Sequence, residues 1–272
     1  EQFASENQKV VAHFHEWMAA AGSLYLRDHA PYVATVFSTH ATVMGRCIAG
    51  NRLPLYNDLH KFNADELARQ FHVMAKHSLE KSAATYADAF LTVSDITANE
   101  CKYLLGREVT RITPNGFENG FVPSGKELDA QRATARAKML EVASATWGYN
   151  FQPDTLIVGT SGRYEYRNKG IDVFIDALDK LNRTDFKGKC VHAFIMIPSG
   201  HNGPDKQLAS KLAGNPSGYV TRTSHYLMNS EYDAVTRRLN DLKFNNAIGD
   251  KVKVYFIPSY LNGNDGIFNK TY

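Results

Sequence analysis

Short apolar runs alternate with longer segments of helical period along this chain, and that alternation limits the possible folds most. VVAHF (10–14), ATVFS (34–38), AFLTV (89–93) and VTRIT (109–113) are rich in Val, Ile, Phe and Thr and are bounded by polar residues, which predicts strands. Between the second and third, 64–87 places Leu67, Phe71, Met74, Ala75 and Leu79 near one face, which predicts one long helix. Strand–helix–strand order with continuous apolar strands predicts an α/β fold with a parallel sheet covered on both faces. The rhythm breaks at 117–150, where Pro and Gly precede a polar, Ala-rich helical stretch. It restarts with strands at 155–160, 190–198 and 251–258. A helix over 170–182 is expected from Ile171, Phe174, Ile175, Leu178 and Leu181 at helical spacing. A domain boundary is therefore expected within 117–152.

Composition narrows the function classes. Hydrophobic residues make up 43% of the 272, enough for a buried core, so disorder is not the default. The net charge of +3, with both signs interspersed, does not mark a nucleic-acid surface. Cys47, Cys101 and Cys190 are far apart and form no CxxC pair, which fits reduced thiols in the cytoplasm rather than a zinc ribbon or a disulfide framework. No stretch approaches the roughly 20 apolar residues of a membrane helix. The first residues lack the pattern of a signal peptide, and both ends read as cut rather than finished.

Four motifs carry possible chemistry, each beside a plainer reading. GRYEYRNKG (162–170) puts Arg163, Arg167 and Lys169 between a strand and a helix start, where unpaired N–H groups and a dipole end favour anions. It is either a phosphate site or a solvated surface turn, and it is neither a Walker A loop nor GxGxxG. FSTHATVMGR (37–46) sets His40 just past a strand end, with Arg46 six residues on; the plainer reading is a His bonded to backbone and a surface Arg. In VVAHFHEW (10–17), His13 and His15 lie on one side of a strand. With Glu16 they suggest a metal site, but no further protein ligand or second shell is visible, so residues lining a cleft are the expectation and no metal is called for. TPNGF (113–117) is a turn signal, with Asn115 or Gly116 tolerating positive φ. No GxSxG, HExxH or Cys–His nucleophile signature is present. The missing GxGxxG counts against a dinucleotide-dependent oxidoreductase.

In order and approximate spacing, HFHEW, FSTHATVMGR, TPNGF and GRYEYRNKGIDVFIDALDKLN resemble the glycogen synthases of animal and fungal type. The resemblance is strong over 10–116 and 155–198, weakens over 199–250 and returns faintly at VKVYFIPSYLNGND. It implies a GT-B fold, two Rossmann-like domains facing each other across a cleft. Residues 1–116 would be the C-terminal part of the first domain, 117–152 a connector, and 153–272 the N-terminal part of the donor-binding domain. The implied reaction moves glucose from UDP-glucose to the nonreducing 4-hydroxyl of glycogen or another α-1,4-glucan, with retention and with no metal or other cofactor. By carry-over, Arg163 and Lys169 hold the donor diphosphate, Arg46 lies by the donor, His40 contacts the glucosyl unit, and His15 and Asn115 line the cleft. Arg167 has no such role and is expected to face solvent.

Three departures follow from the same resemblance. The family's Lys- and Gly-containing donor loop would precede residue 1. Its Glu-Pro-Trp-Gly stretch, with the catalytic carboxylates, would follow residue 272, so this piece alone would be inactive. The segment FVPSGKELDAQRATARAKM lacks the His-rich glucose-6-phosphate helix of eukaryotic members, which fits a bacterial member. A noncatalytic nucleotide- or glucan-binding module, or a related retaining transferase using ADP-glucose, remains as an alternative. A homo-oligomer is compatible with the sequence; nucleic-acid and membrane partners are not expected.

Overall fold

The computed structural model describes residues 8–148, 150–151, 154–215, 218, 220–261, 263 and 265–268. The cut-looking ends (1–7 and 269–272), positions 149, 152 and 153 near the expected boundary, and 262 and 264 of the faint terminal match lie outside the described residues. The chain divides into two compact units, Glu1–Glu118 and Asn119–Tyr272.

The first unit holds a four-stranded parallel sheet whose spatial order follows the chain: β1 (Val11–His15), β2 (Ala34–Thr39), β3 (Ala89–Thr92) and β4 (Arg111–Ile112). Phe14 pairs in register with Phe37, and Phe37 with Phe90. Phe37 and Phe90 are fully buried and stack at 5.8 Å. β4 is shorter than the expected 109–113, although Thr110 N–H and Thr113 N–H continue its bonding to Phe90 and Thr92 carbonyls (2.6 and 2.7 Å).

Helix α1 (Glu16–His29) follows β1 without a loop. Periodicity marks no helix there, because its buried positions are Ala20 and Ser23 rather than large apolar residues. Gly22 belongs to the same packing: a Cβ there would come within 2.6 Å of the Phe14 ring. After β2 comes α2 (Val43–Gly50).

The long helix expected over 64–87 is two helices, α3 (Ala64–Gln70) and α4 (Met74–Tyr86). His72 takes φ 57°, and Val73 N–H reaches back to Ala68 O (2.9 Å), the ending usually made by a glycine. The break turns two apolar faces to different places. Ala64 and Ala68 pack with Met44, Ile48 and Leu104, whereas Ala83 and Ala84 pack with Phe37 and Phe90. Helix α5 (Asp95–Glu100) follows β3 and runs into a π-helical turn, Cys101–Leu105, ended by Gly106 at φ 75°.

In the second unit α6 (Gly125–Trp147) precedes a parallel sheet in the order β5 (Leu156–Ser161), β6 (Val191–Met196), β9 (Val252–Ile257). Between β5 and β6 lies α7 (Ile171–Arg183), close to its expected bounds. The stretch between the strands expected at 190–198 and 251–258 holds β7 (His201–Pro204), α8 (Lys206–Leu212), β8 (His225–Leu227) and α9 (Ala234–Asp241), with β7 and β8 antiparallel.

Strand alternation divides this core into two layers. Val191, Ala193 and Ile195 of β6 and Val252, Val254 and Phe256 of β9 pack against Ile171, Ile175 and Leu178 of α7 and Val235 and Leu239 of α9. On the other face, Phe194, Tyr255 and Ile257 pack against Val142 and Ala143 of α6 and Leu208 of α8. Helices cover both faces, which is why β6 and β9 are buried along nearly their whole length and read as apolar runs interrupted by His192 and Lys253.

Candidate functional site

In each unit the residues singled out by sequence gather at the carboxyl ends of parallel strands, where such sheets bind ligands. In the first unit His15 closes β1 and His40 follows the last residue of β2. Their rings lie 6.3 Å apart, and the His13 and His15 rings 4.0 Å apart. His13 Nε2 bonds the Ser38 hydroxyl at 2.6 Å. Burial, and then the neighbouring His15, hold the His13 imidazole below its ordinary pKa.

By sequence Glu16 stands only beside a possible His13–His15 metal site, yet it organises this corner. One carboxylate oxygen, Oε1, accepts from the His40 backbone N–H (2.9 Å) and bonds His40 Nδ1 (2.8 Å). Glu16 holds φ 65°, a conformation that costs on the order of 1–3 kcal/mol in a non-glycine residue and persists where surrounding bonds fix it. With Nδ1–H donated to a carboxylate, Nε2 is the ring atom left for a ligand. No sequence signal reveals this pair, because its members are 24 residues apart. Arg46 is exposed on α2, whose start is capped by the Thr42 hydroxyl accepting from Gly45 N–H (2.9 Å).

Asn115 is exposed beyond β4. The turn expected at TPNGF does not form there. Neither Asn115 nor Gly116 takes positive φ, and the first turn is the 3-10 turn Asn119–Phe121. Thr113 is still bonded to the β3 edge, so the chain leaves the sheet extended.

In the second unit, 162–170 follows β5. Arg163 is largely exposed and pairs with Glu165 (3.1 Å). Lys169 is exposed, with no side-chain partner among the described residues. Two expectations fail here. Arg167 does not simply face solvent: it is half-buried and pairs with Asp172 at 3.1 Å, a carboxylate just beyond the loop. Nor does α7 offer open N–H groups. Those of Ile171 and Asp172 bond the Tyr166 carbonyl (3.1 and 3.3 Å), and that of Val173 bonds Asp172 Oδ1 (2.9 Å). Any anion here is therefore met by side-chain cations, not by the helix end.

The two tyrosines, passed over in the sequence, fix the loop. Tyr164 donates to Asp233 Oδ2 (2.6 Å) and accepts from Val235 N–H (3.1 Å), tying the loop to the start of α9. Burial foremost, and then the bond to Asp233, push the Tyr164 phenol pKa up. Tyr166 packs on the same core. Beside them a cavity of about 420 Å³ is lined by Tyr164, Tyr166, Ser199, Gly200, Met228 and Tyr232, next to the carboxyl end of β6. Among the described residues no group of three or more His, Cys, Asp or Glu is placed to hold a metal ion.

A family model described as glycogen synthase matches residues 1–208. The chain belongs to the glycogen synthase family. It is 36% identical over 206 residues to a glycogen [starch] synthase of Dictyostelium discoideum, covering 73% of this chain and 24% of that protein. It is 36% identical over 200 residues to one from Neurospora crassa, covering 71% of this chain and 28% of the other. With isoform 2 of Saccharomyces cerevisiae it is 29% identical over 331 residues, covering 97% of this chain and 47% of the yeast protein. The chain thus spans between about a quarter and about half of these relatives' lengths. The yeast alignment is longer than this chain, so the yeast protein carries internal segments that this glycogen synthase-family chain lacks. Its two parallel α/β units have the Rossmann-like form of GT-B transferases. His40, Arg46, Arg163 and Lys169 all fall within the matched residues.

Proposed function

We propose that the protein is a glycogen synthase that transfers glucose from UDP-glucose to the nonreducing 4-hydroxyl of an α-1,4-glucan, with retention at the anomeric carbon. The family match over 1–208, which contains both strand-end loops, carries this reading. Arg163 and Lys169 bind the donor diphosphate and offset the charge that develops as UDP leaves, a role in which no metal or other cofactor takes part. Arg46 lies by the donor, and His40 contacts the glucosyl unit through the nitrogen not engaged by Glu16. His15 and Asn115 line the surface around them. The tyrosine-lined cavity beside the loop supports the donor reading, because it offers apolar faces within a few residues of the two cations.

The partners proposed are glycogen or a similar glucan and UDP-glucose, and the compartment is the cytoplasm. All three cysteines are free thiols, and no helix among the described residues is long and apolar enough to cross a membrane. The deciding experiment is calorimetric titration of UDP and of ADP into the folded chain and its Arg163→Ala variant. UDP should bind more tightly than ADP. The variant should lose about 1.5–3 kcal/mol, roughly tenfold or more in affinity. Preferential binding of ADP would move the donor to ADP-glucose. Transfer of no glucose by the full-length gene product, with UDP binding intact, would leave a noncatalytic binding module.

A further inference from the structure

Residues 39–46, which carry His40 and Arg46, rest on two carboxylates that belong to no motif. Glu80 of α4 is fully buried. Its Oε1 accepts from the Thr39 hydroxyl at 3.1 Å and its Oε2 from Val43 N–H at 2.9 Å. Glu100, the last residue of α5, is 5% exposed. Its Oε2 accepts from the Thr42 hydroxyl at 2.8 Å and its Oε1 from the Tyr56 hydroxyl at 3.0 Å. The loop is thus held by a carboxylate immediately before His40, at Thr39, and again just after it, at Thr42 and Val43. The Thr42 hydroxyl also caps α2, so Glu100 fixes the helix on which Arg46 sits. Gly45 completes the fit, because a Cβ there would come within 2.2 Å of Glu100 Oε2.

Burying two carboxylates costs far more than burying two leucines, unless every oxygen finds a donor. Here each of the four oxygens does. The arrangement also survives protonation. Burial foremost, with the charges of Glu16 and Glu100, pushes the Glu80 carboxyl up to about 7. When neutral, it can donate to Thr39 Oγ1, which in turn donates to the Ala41 carbonyl at 3.2 Å. Val43 N–H stays on Oε2 in both states.

We propose that Glu80 and Glu100 are positioning residues, which lock 39–46 so that His40 and Arg46 meet the donor sugar nucleotide in one arrangement. This rests on the transferase reading above. Neither carboxylate touches the ligand; each acts through backbone and hydroxyl groups of the loop.

The test uses the full-length gene product with Glu80→Leu, Glu80→Gln and Glu100→Gln. Two quantities are read: glucose transfer from UDP-glucose, and the imidazole ¹⁵N shifts of His40 in protein labelled at histidine. Wild type should show the Nδ1–H tautomer donated to Glu16. Glu80→Leu should shift His40 toward a tautomer mixture and lower kcat by about 10- to 100-fold, more than it raises KM for the donor. Glu80→Gln, whose amide reproduces the neutral carboxyl's bonds, should restore both. A folded Glu80→Leu protein with wild-type kcat and His40 shifts would overturn the proposal. If Glu80→Leu does not fold, Thr42→Val is read in its place; it removes one hydroxyl at constant shape, and unchanged shifts and kcat again count against positioning. If wild type transfers no glucose, the transferase reading has failed, and the His40 shifts alone still decide whether the carboxylates set the loop.

Discussion

The loop after β2 and the loop after β5 both leave the carboxyl end of a parallel strand, but they are held differently. The first is tied from beneath, by Glu80 and Glu100 through Thr39, Thr42 and Val43, and from the side by Glu16. The second is tied by its tyrosines, which fold inward while Arg163 and Lys169 stay at the surface. On the proposed reading, the first loop presents a group to a neutral sugar at one angle, and buried hydrogen bonds set that angle. The second presents long cations to a diphosphate, where reach suffices and only the loop's base needs fixing.

Glycine substitutions should break this comparison most sharply. Gly45→Ala forces a methyl group against the Glu100 carboxylate and the Thr42 hydroxyl, so urea unfolding should show a loss of about 1–3 kcal/mol. Gly170→Ala meets no atom within 4 Å and suffers only its φ of 64°, so about 1 kcal/mol is expected. Equal losses would mean that the first loop is no more tightly seated than the second. Tyr164→Phe leaves Asp233 and Val235 N–H each short of a partner. It should cost about 1–3 kcal/mol and also weaken UDP binding, although it removes no cation.

The buried carboxylate makes the first loop's unit sensitive to pH. Glu80 is raised from 4.5 to about 7, so the folded chain binds its proton more tightly than the unfolded chain. Stability from this group is present at low pH and is lost as pH climbs through that interval, by about 3 kcal/mol. In Glu80→Gln that loss should vanish, so the variant gains on wild type between pH 4.5 and 7 in matched denaturant curves. The smallest effect is expected at the surface. Asp172→Asn breaks a partly exposed pair with Arg167 and should change stability by less than about 1 kcal/mol, with UDP affinity nearly unchanged. A large loss of affinity there would bring Arg167 into the donor site.

What the sequence made legible follows the same division. β6 and β9 are legible as nearly continuous apolar runs buried on both faces, and α7 by large apolar side chains at period 3.6. α1 is not, because Ala20, Gly22 and Ser23 pack by being small. The α3–α4 break was hidden because His72, not glycine, takes the left-handed position. In the candidate site the residues proposed to meet ligand stand out as motifs, while their supports do not. Glu16, Glu80, Glu100 and Asp233 look like ordinary surface carboxylates until the fold brings them 24 to 69 residues back to Glu16–His40, Thr39–Glu80, Thr42–Glu100 and Tyr164–Asp233 contacts.

A single oxygen of Glu16 takes both N–H groups of His40, and this bears on which sugars the site would accept. When the ring is neutral and its Nδ1 proton is on Glu16, Nε2 presents a lone pair that can receive a hydroxyl hydrogen but cannot give one. On the proposed reading, a donor with fluorine or hydrogen in place of the hydroxyl that reaches Nε2 leaves that lone pair unmatched. Discrimination against such a deoxy or fluoro analogue should be steep, because a site built to bond a hydroxyl rejects a substrate that lacks it far more strongly than an apolar pocket rejects a missing methylene.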